Sequence, residues 1–128
     1  MDQIANMIIM MKNASLAKRP TTVFPHSKMK QAILECLKKE GYIAGFSKKL
    51  RKGFPVLEVE LLYVDGKAKI TDVDRVSKQS RRTYFGVKDI RPVRNGFGSI
   101  VLSTPKGIMS GKEAKKEMVG GELLFTMW

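Results

Sequence analysis

The chain is short of the residues that usually carry chemistry. Its 128 residues include one cysteine and one histidine, and acidic residues are outnumbered by basic ones 12 to 24. A lone cysteine, Cys36, permits no internal disulfide and no cysteine metal cluster, and a reducing compartment is the natural setting. No apolar run approaches the roughly 20 residues that span a bilayer. The largely apolar residues 4–11 follow Asp2, where a secretory leader would carry positive charge, and no A-x-A pattern comes after them. These absences predict a cytosolic, non-exported protein with no membrane partner.

Enzymatic arrangements are equally sparse. His26 has no acidic or cysteine neighbour in sequence and reads as a loop histidine before a helix cap. Cys36 lies within an apolar helical stripe, where a thiol acts as a small hydrophobe rather than a nucleophile. Two acidic pairs, Glu58/Glu60 and Asp72/Asp74, have the two-residue spacing of one strand face, the pattern of a solvated face more than of a metal nuclease. Two glycine-containing stretches fall short of phosphate-binding motifs. Between Gly107 and Gly111 stand three residues where a P-loop needs four, and Glu113 follows Lys112 where a magnesium-binding hydroxyl is required. Gly96-Phe97-Gly98 lacks the third glycine of the dinucleotide motif and leads into a strand instead of a helix. No catalytic residue, metal or cofactor is expected.

What the chain does have is charge and a core. The formal net charge is +12, with 43% hydrophobic residues. That hydrophobic content argues against global disorder, and the charge points to a polyanionic partner. Cations cluster twice. Lys48, Lys49, Arg51 and Lys52 fall within five residues. Residues 75–94 hold seven cations and one acid, with Tyr84 and Phe85 interleaved. A cationic run by itself is a solvated surface. Two runs on a chain with this excess form a nucleic-acid footprint. Tyr84 is equally suited to stacking on an unpaired base and to ordinary strand packing.

Periodicity and cap signals predict a mix of helices and strands. A first helix spans residues 2–17, capped by Asp2, with Ile4, Met7, Ile8 and Met11 as its main stripe. Ala5, Ile9 and Leu16 widen the stripe, so the helix is expected to pack on more than one side, with Met10 facing away. Ser27 caps a second helix that ends at Gly41, with Met29, Ala32, Ile33, Cys36 and Leu37 on one face and Lys28, Lys30, Lys38 and Lys39 on its flanks and back. Strands are predicted at residues 21–24, 42–50, 56–64, 70–76, 83–85, 97–102 and 123–128. Asp65-Gly66 and Asn95-Gly96 are turn signals, and Pro92 argues against a central strand around it. Residues 78–82 form a basic connection. Ser110 and Glu113 match a capping box opening a short helix. A chain of this length fits one compact domain or two small, tightly packed subdomains, and the local organisation changes around residues 66–69: residues 1–66 hold two helices and about three strands, and residues 67–128 are mainly β with a short helix.

The C-terminal quarter is the most informative part. Ser103-Thr104-Pro105-Lys106-Gly107 ends one apolar strand, and Gly120-Gly121-Glu122 precedes another. Both read as loops in which hydroxyls, free amides and missing side chains admit a close, irregular surface such as folded RNA. Glu122 would be repelled by phosphate, so at such an interface it must accept from a base amine or a 2′-hydroxyl, or orient a neighbouring donor. Each loop alone supports nothing beyond turn chemistry. Beside the RNA-binding reading stand two others: a small basic RNA-processing enzyme and a non-specific nucleic-acid-binding protein.

The ordered set of these segments resembles the small-subunit ribosomal protein S-eight family, bacterial or organellar type, over essentially the whole chain. The strongest part is Ser103-Thr104-Pro105-Lys106-Gly107-Ile108-Met109, then Lys112-Glu113-Ala114 and Gly120-Gly121-Glu122. Asp2-Gln3-Ile4-Ala5-Asn6-Met7, Lys12-Asn13-Ala14, Ser27-Lys28-Met29-Lys30, Glu40-Gly41-Tyr42-Ile43, Arg75-Val76-Ser77-Lys78, Tyr84 and Asn95-Gly96-Phe97-Gly98 complete it. The resemblance implies an α+β fold of two small, tightly packed subdomains, residues 1–66 and 67–128, the second carrying the main RNA-binding loops, and a ribosomal location, cytoplasmic or organellar. It also implies direct binding to an irregular helix in the central domain of small-subunit ribosomal RNA, and a role in subunit assembly. Neighbouring small-subunit proteins and the chain's own operon messenger RNA are the further partners it implies. By motif, the RNA contacts would be Ser103, Thr104, Lys106 and Gly107, with Tyr84, Gly120, Gly121 and Glu122 beside them, and Lys28, Lys30 and Lys52 on the backbone. The sequence departs from the family at Pro105, where serine is common, at Gln79-Ser80 in place of Pro-Gly, at Gln3 in place of proline, and in the methionines of the first helix.

Overall fold

The computed structural model describes residues 3–77, 81–90 and 98–128. The Asp2 cap, the first three residues of the basic connection (78–80), Pro92 and the Asn95-Gly96 turn lie outside the described residues. The fold is α+β. It comprises two compact units, residues 3–71 and residues 72–128.

In the first unit, α1 (Gln3–Leu16) buries Ile4, Met7, Ile8, Met11 and Ala14 along one stripe. The wider packing expected of this helix is absent: Ile9 is 48% and Leu16 67% exposed, so a single stripe anchors it. Lys18, at φ 56°, makes the left-handed turn that ends the helix, and the Arg19 amide returns to the Ala14 carbonyl. Strand β1 (Thr21–Pro25) leads to α2 (Lys28–Lys39), whose Ser27 cap accepts the Lys30 amide at 3.1 Å. The apolar face of α2 is rotated from the predicted one. Met29 is exposed, whereas Lys30 and Leu34 join Ile33, Cys36 and Leu37 inside. A 3.6-residue repeat fits either stripe, and the choice rests on what waits opposite. Here the Pro25 carbonyl receives the Lys30 ammonium at 3.3 Å, and the Phe24 ring lies 5.9 Å away. With both partners present, the lysine stem can be buried while its charge is satisfied.

Strand β2 (Ile43–Arg51) and β3 (Phe54–Leu61) form a hairpin, with β1 on the far side of β3 in the antiparallel order β1-β3-β2. The hairpin turn is Lys52-Gly53, with φ of 50° and 81°, the positive pair a two-residue turn requires. Along β3, Leu57, Val59 and Leu61 are buried and pair with Phe24, Phe46 and Ile43, while the intervening Glu58 and Glu60 face the other way. The predicted strand over 56–64 is broken: after Leu61 a separate ribbon of β4 (Tyr63–Val64) and β5 (Lys67–Ala68) turns at Asp65-Gly66.

The second unit is built around its last strand. Strand β6 (Val73–Arg75) is shorter than the predicted 70–76, and β7 (Tyr84–Phe85) leads into a single 3-10 turn at Val87–Asp89. Strands β8 (Ser99–Thr104) and β9 (Gly107–Ser110) precede α3 (Gly111–Lys116) and β10 (Gly121–Met127). The sheet order is β6-β10-β8-β9, with β7 also pairing β10. One side of β10 is thus shared by β6 and β7, and the other is held by β8. Ile90, Ile100, Leu102, Met109, Ala114 and Leu123 form a core cluster, with Phe85 and Val119 against it. Leu124, Phe125 and Met127 are fully buried as well, aided by an irregularity in the β10–β8 register between Leu123 and Phe125.

Candidate nucleic-acid interface

The two expected polar loops are largely strand. Ser103 and Thr104 end β8, and Gly107 begins β9, so only Pro105 and Lys106 separate the strands of a tight hairpin. Strand β9 has no signal in the sequence, because its four residues, Gly107-Ile108-Met109-Ser110, are too few to display a period. Gly121 and Glu122 likewise belong to β10. The reason these segments are polar and small is first a matter of packing. A Cβ placed on Gly121 would collide with the Ser103 carbonyl oxygen, with the Ser103 carbonyl carbon only 2.9 Å and Thr104 Cα 3.0 Å away. One on Gly120 would meet the Phe85 carbonyl oxygen, and Gly86 Cα at 2.8 Å. The glycine pair therefore lets β10 slide between β7 and β8.

That insertion assembles a candidate site. Glu122 pairs directly with Tyr84 on one side and Ser103 on the other. Directly opposed residues share a face, with Cβ atoms about 4.5–5.5 Å apart. Tyr84, Glu122 and Ser103 therefore form one row across three strands, an aromatic ring, a carboxylate and a hydroxyl. Phe85, the next residue along β7, points oppositely into the core cluster and fixes which way Tyr84 faces. The row lies in an open concavity of about 520 Å³ lined by Tyr84, Phe85, Gly86, Ser103, Thr104, Pro105, Gly120, Gly121 and Glu122.

The individual groups differ in what they have left to offer. Tyr84 is 69% exposed, and among the described residues neither its hydroxyl nor that of Ser103 has a partner. Thr104 is buried and occupied: its hydroxyl donates to the Gly107 carbonyl at 2.7 Å and accepts the Lys106 amide at 3.2 Å. It shapes the hairpin rather than presenting a free hydroxyl. Gly107 has φ 116°, which strains any other residue there. Lys106 is exposed at the tip, 3.4 Å from Glu117, a surface pair worth about 0–1 kcal/mol that phosphate can displace. Glu122 accepts from Arg82 Nη1 at 3.0 Å. The buried Ser77 hydroxyl accepts the Thr83 amide at 2.9 Å and donates to its carbonyl at 3.3 Å, which steers the chain into β7.

Tyr84, Ser103, Thr104, Gly120, Gly121 and Glu122 are thus brought together, with Lys106 and Gly107 at the adjoining hairpin. Lys28, Lys30 and Lys52 lie in the first unit. Lys28 is exposed on the first turn of α2 and Lys52 at the hairpin tip, but the Lys30 ammonium is turned inward onto Pro25. Arg82, Ser77, Phe85 and Gly86 were not singled out as site residues by sequence. Their roles depend on strand register, which leaves no local signal.

Glu58 bonds Lys49 at 3.0 Å, and Asp72 Oδ1 accepts the Val73 amide at 2.8 Å. Among the described residues no group of three histidine, cysteine, aspartate or glutamate side chains converges, and no helix is long and apolar enough to cross a membrane. His26 Nε2 is 2.9 Å from Gln31 Oε1.

Comparison with known proteins identifies the family. The family model described as Ribosomal protein S8 matches residues 2–128. A protein named small ribosomal subunit protein uS8 from Caulobacter sp. strain K31 is 45% identical over 128 residues, covering 99% of this chain and 97% of that protein. Its namesake from Nitrobacter winogradskyi is 46% identical with the same coverage. That from Ruegeria pomeroyi is 44% identical, covering 99% and 98%.

Proposed function

The chain belongs to the ribosomal protein S8 family, whose members are structural components of the small ribosomal subunit and not enzymes, and on that premise we propose that the groove around Glu122 binds small-subunit ribosomal RNA at an irregular helix. The observation that carries the reading is the Tyr84–Glu122–Ser103 row, in which three distant stretches of sequence meet on one open sheet face. Regular A-form RNA hides its base edges in a deep, narrow groove, so an exposed ring beside a carboxylate and a hydroxyl suits bases splayed from the helix. Tyr84 supplies a stacking surface, Ser103 a donor and acceptor, and Lys106 a backbone cation at the rim. Thr104 and the glycines hold the surface in shape. The net charge of +12 supplies attraction over a longer range.

Binding of this kind ties the protein to its RNA helix during assembly of the subunit, with other ribosomal proteins as neighbours. The test is direct. Affinity is measured for a hairpin transcript carrying the irregular segment of the central-domain RNA, and for a fully paired duplex of equal length. The irregular transcript should bind at least about tenfold more tightly, a difference of about 1.4 kcal/mol. Equal affinities would refute specific recognition and leave a non-specific polycation.

A further inference from the structure

An acid at the centre of an RNA-binding groove needs an explanation, because it opposes the very charge that attracts the ligand. Glu122 is largely covered, with 16% of its side-chain surface exposed, and it is not paired to the hairpin lysine beside it. Its partner is Arg82, which lies just before β7 and has half of its side chain in solvent. The guanidinium nitrogen Nη1 holds Oε2 at 3.0 Å. Among the described residues no donor is bonded to Oε1. The carboxylate is thus fixed by one oxygen and available by the other. Its strand neighbours on the same face are the exposed Tyr84 ring and the unpartnered Ser103 hydroxyl.

We infer that Arg82 is a positioning residue: by holding one oxygen of Glu122, it aims the other at the exocyclic amine of an unpaired base in the groove. This rests on the reading of the groove as an RNA site and adds a chemical selectivity to it. A carboxylate is an acceptor only. It complements the amines of adenine, cytosine and guanine, and it opposes the carbonyl oxygens of uracil. The adjacent guanidinium offsets the repulsion between Glu122 and nearby phosphates, so the acid can act as a base reader within a basic surface. Without Arg82 the carboxylate would be free to rotate among several rotamers, and its free oxygen would lose its direction.

The experiment is a double-mutant cycle crossed with removal of single amines from the RNA. Wild type, Arg82→Gln, Glu122→Gln and the double variant are titrated against the irregular hairpin transcript. The transcript set replaces adenine by purine, guanine by hypoxanthine or cytosine by pyrimidin-2-one, one position at a time. For the wild type, loss of one particular amine should weaken binding by about tenfold, the scale of a hydrogen bond to a charged group. The same loss should change binding by less than about twofold in Arg82→Gln and in Glu122→Gln, and Arg82→Gln should add little in the Glu122→Gln background. Arg82→Lys, which keeps a donor for Oε2, should restore part of the amine effect. If the amine effect persists in Arg82→Gln, or if no amine matters, the inference is overturned. An Arg82 that only attracts phosphate would lower the salt dependence equally with and without Glu122. Failure of the underlying reading looks different: Tyr84→Ala and Ser103→Ala would then leave affinity for the hairpin unchanged.

Discussion

Replacing Gly121 by alanine separates two explanations of the same glycine. If the residue is small to admit RNA, Gly121→Ala leaves the free protein as stable as before and weakens binding alone. The structure argues otherwise, because the added methyl would strike the Ser103 backbone, with two further backbone atoms at 2.9 and 3.0 Å. Neither neighbour is a flexible side-chain end, so strands β10 and β8 must part locally. Loosening the ladder there weakens one or two backbone hydrogen bonds, each worth about 0.5–1.5 kcal/mol net. That agrees with the about 1–3 kcal/mol usual for overpacking, and we take about 2 kcal/mol. Gly86→Ala is the control. It lines the same groove, has φ −79°, and its nearest contact is a side-chain oxygen at 3.6 Å. It should change stability by less than about 0.5 kcal/mol. The only tryptophan, Trp128, follows β10 directly and is half-buried, so its fluorescence reports unfolding of the unit that contains the groove. With a urea slope of about 2 kcal/mol per molar, Gly121→Ala should lower the midpoint by about 1 M and Gly86→Ala by less than about 0.3 M. Coincident midpoints for the two variants, with RNA affinity reduced only in Gly121→Ala, would refute the packing argument and return the glycine to the ligand.

Other outcomes follow from the same geometry. Thr104→Ala should lower both thermal stability, by about 1 kcal/mol, and RNA affinity, because it removes the hydroxyl that bonds Gly107 and Lys106 across the hairpin; Thr104→Ser, which keeps that hydroxyl, should retain most of both. Tyr84→Ala should weaken RNA binding by about 1–3 kcal/mol in a filter or fluorescence titration while leaving the melting temperature within a degree or two, since the ring is mostly in solvent. Lys30→Ala should destabilise the first unit and leave the salt dependence of RNA binding unchanged, whereas Lys106→Ala should reduce the slope of log affinity against log salt by just under about one. Met118→Gly should stabilise the protein by about 0.5–1 kcal/mol in urea unfolding: Met118 holds the left-handed position that ends α3, at φ 56°, and its side chain is 78% exposed.

Local chemistry made much of the fold legible. The Ser27 cap, the Gly41 stop, the Asp65-Gly66 turn and the Ser110 cap act over three or four residues, and all four stand where the sequence puts them. The buried stripe of α1 was legible for the same reason, since Ile4, Met7, Ile8 and Met11 repeat at helical spacing. Where two faces were equally apolar, the period alone could not choose. Met29 and Lys30 exchanged places because a carbonyl and an aromatic ring far from the helix's own pattern accommodate the ammonium.

Composition alone points to a kind of partner: an excess of twelve cations with one histidine and one cysteine leaves little room for catalysis and much for a polyanion. The ordered segments determined the family, and residues 103–107 and 120–122 carry its strongest motifs. Only tertiary structure decided which groups surround each of those residues. Strand register placed Tyr84 and Ser103 on either side of Glu122, and it gave Glu122 an arginine forty residues away. Register is a property of pairs of strands, set by which side chains the core will accept, and no single stretch of sequence contains it. The same pairing turned two apparent loops into strand ends and gave the glycines a protein backbone, before any RNA, as their close neighbour.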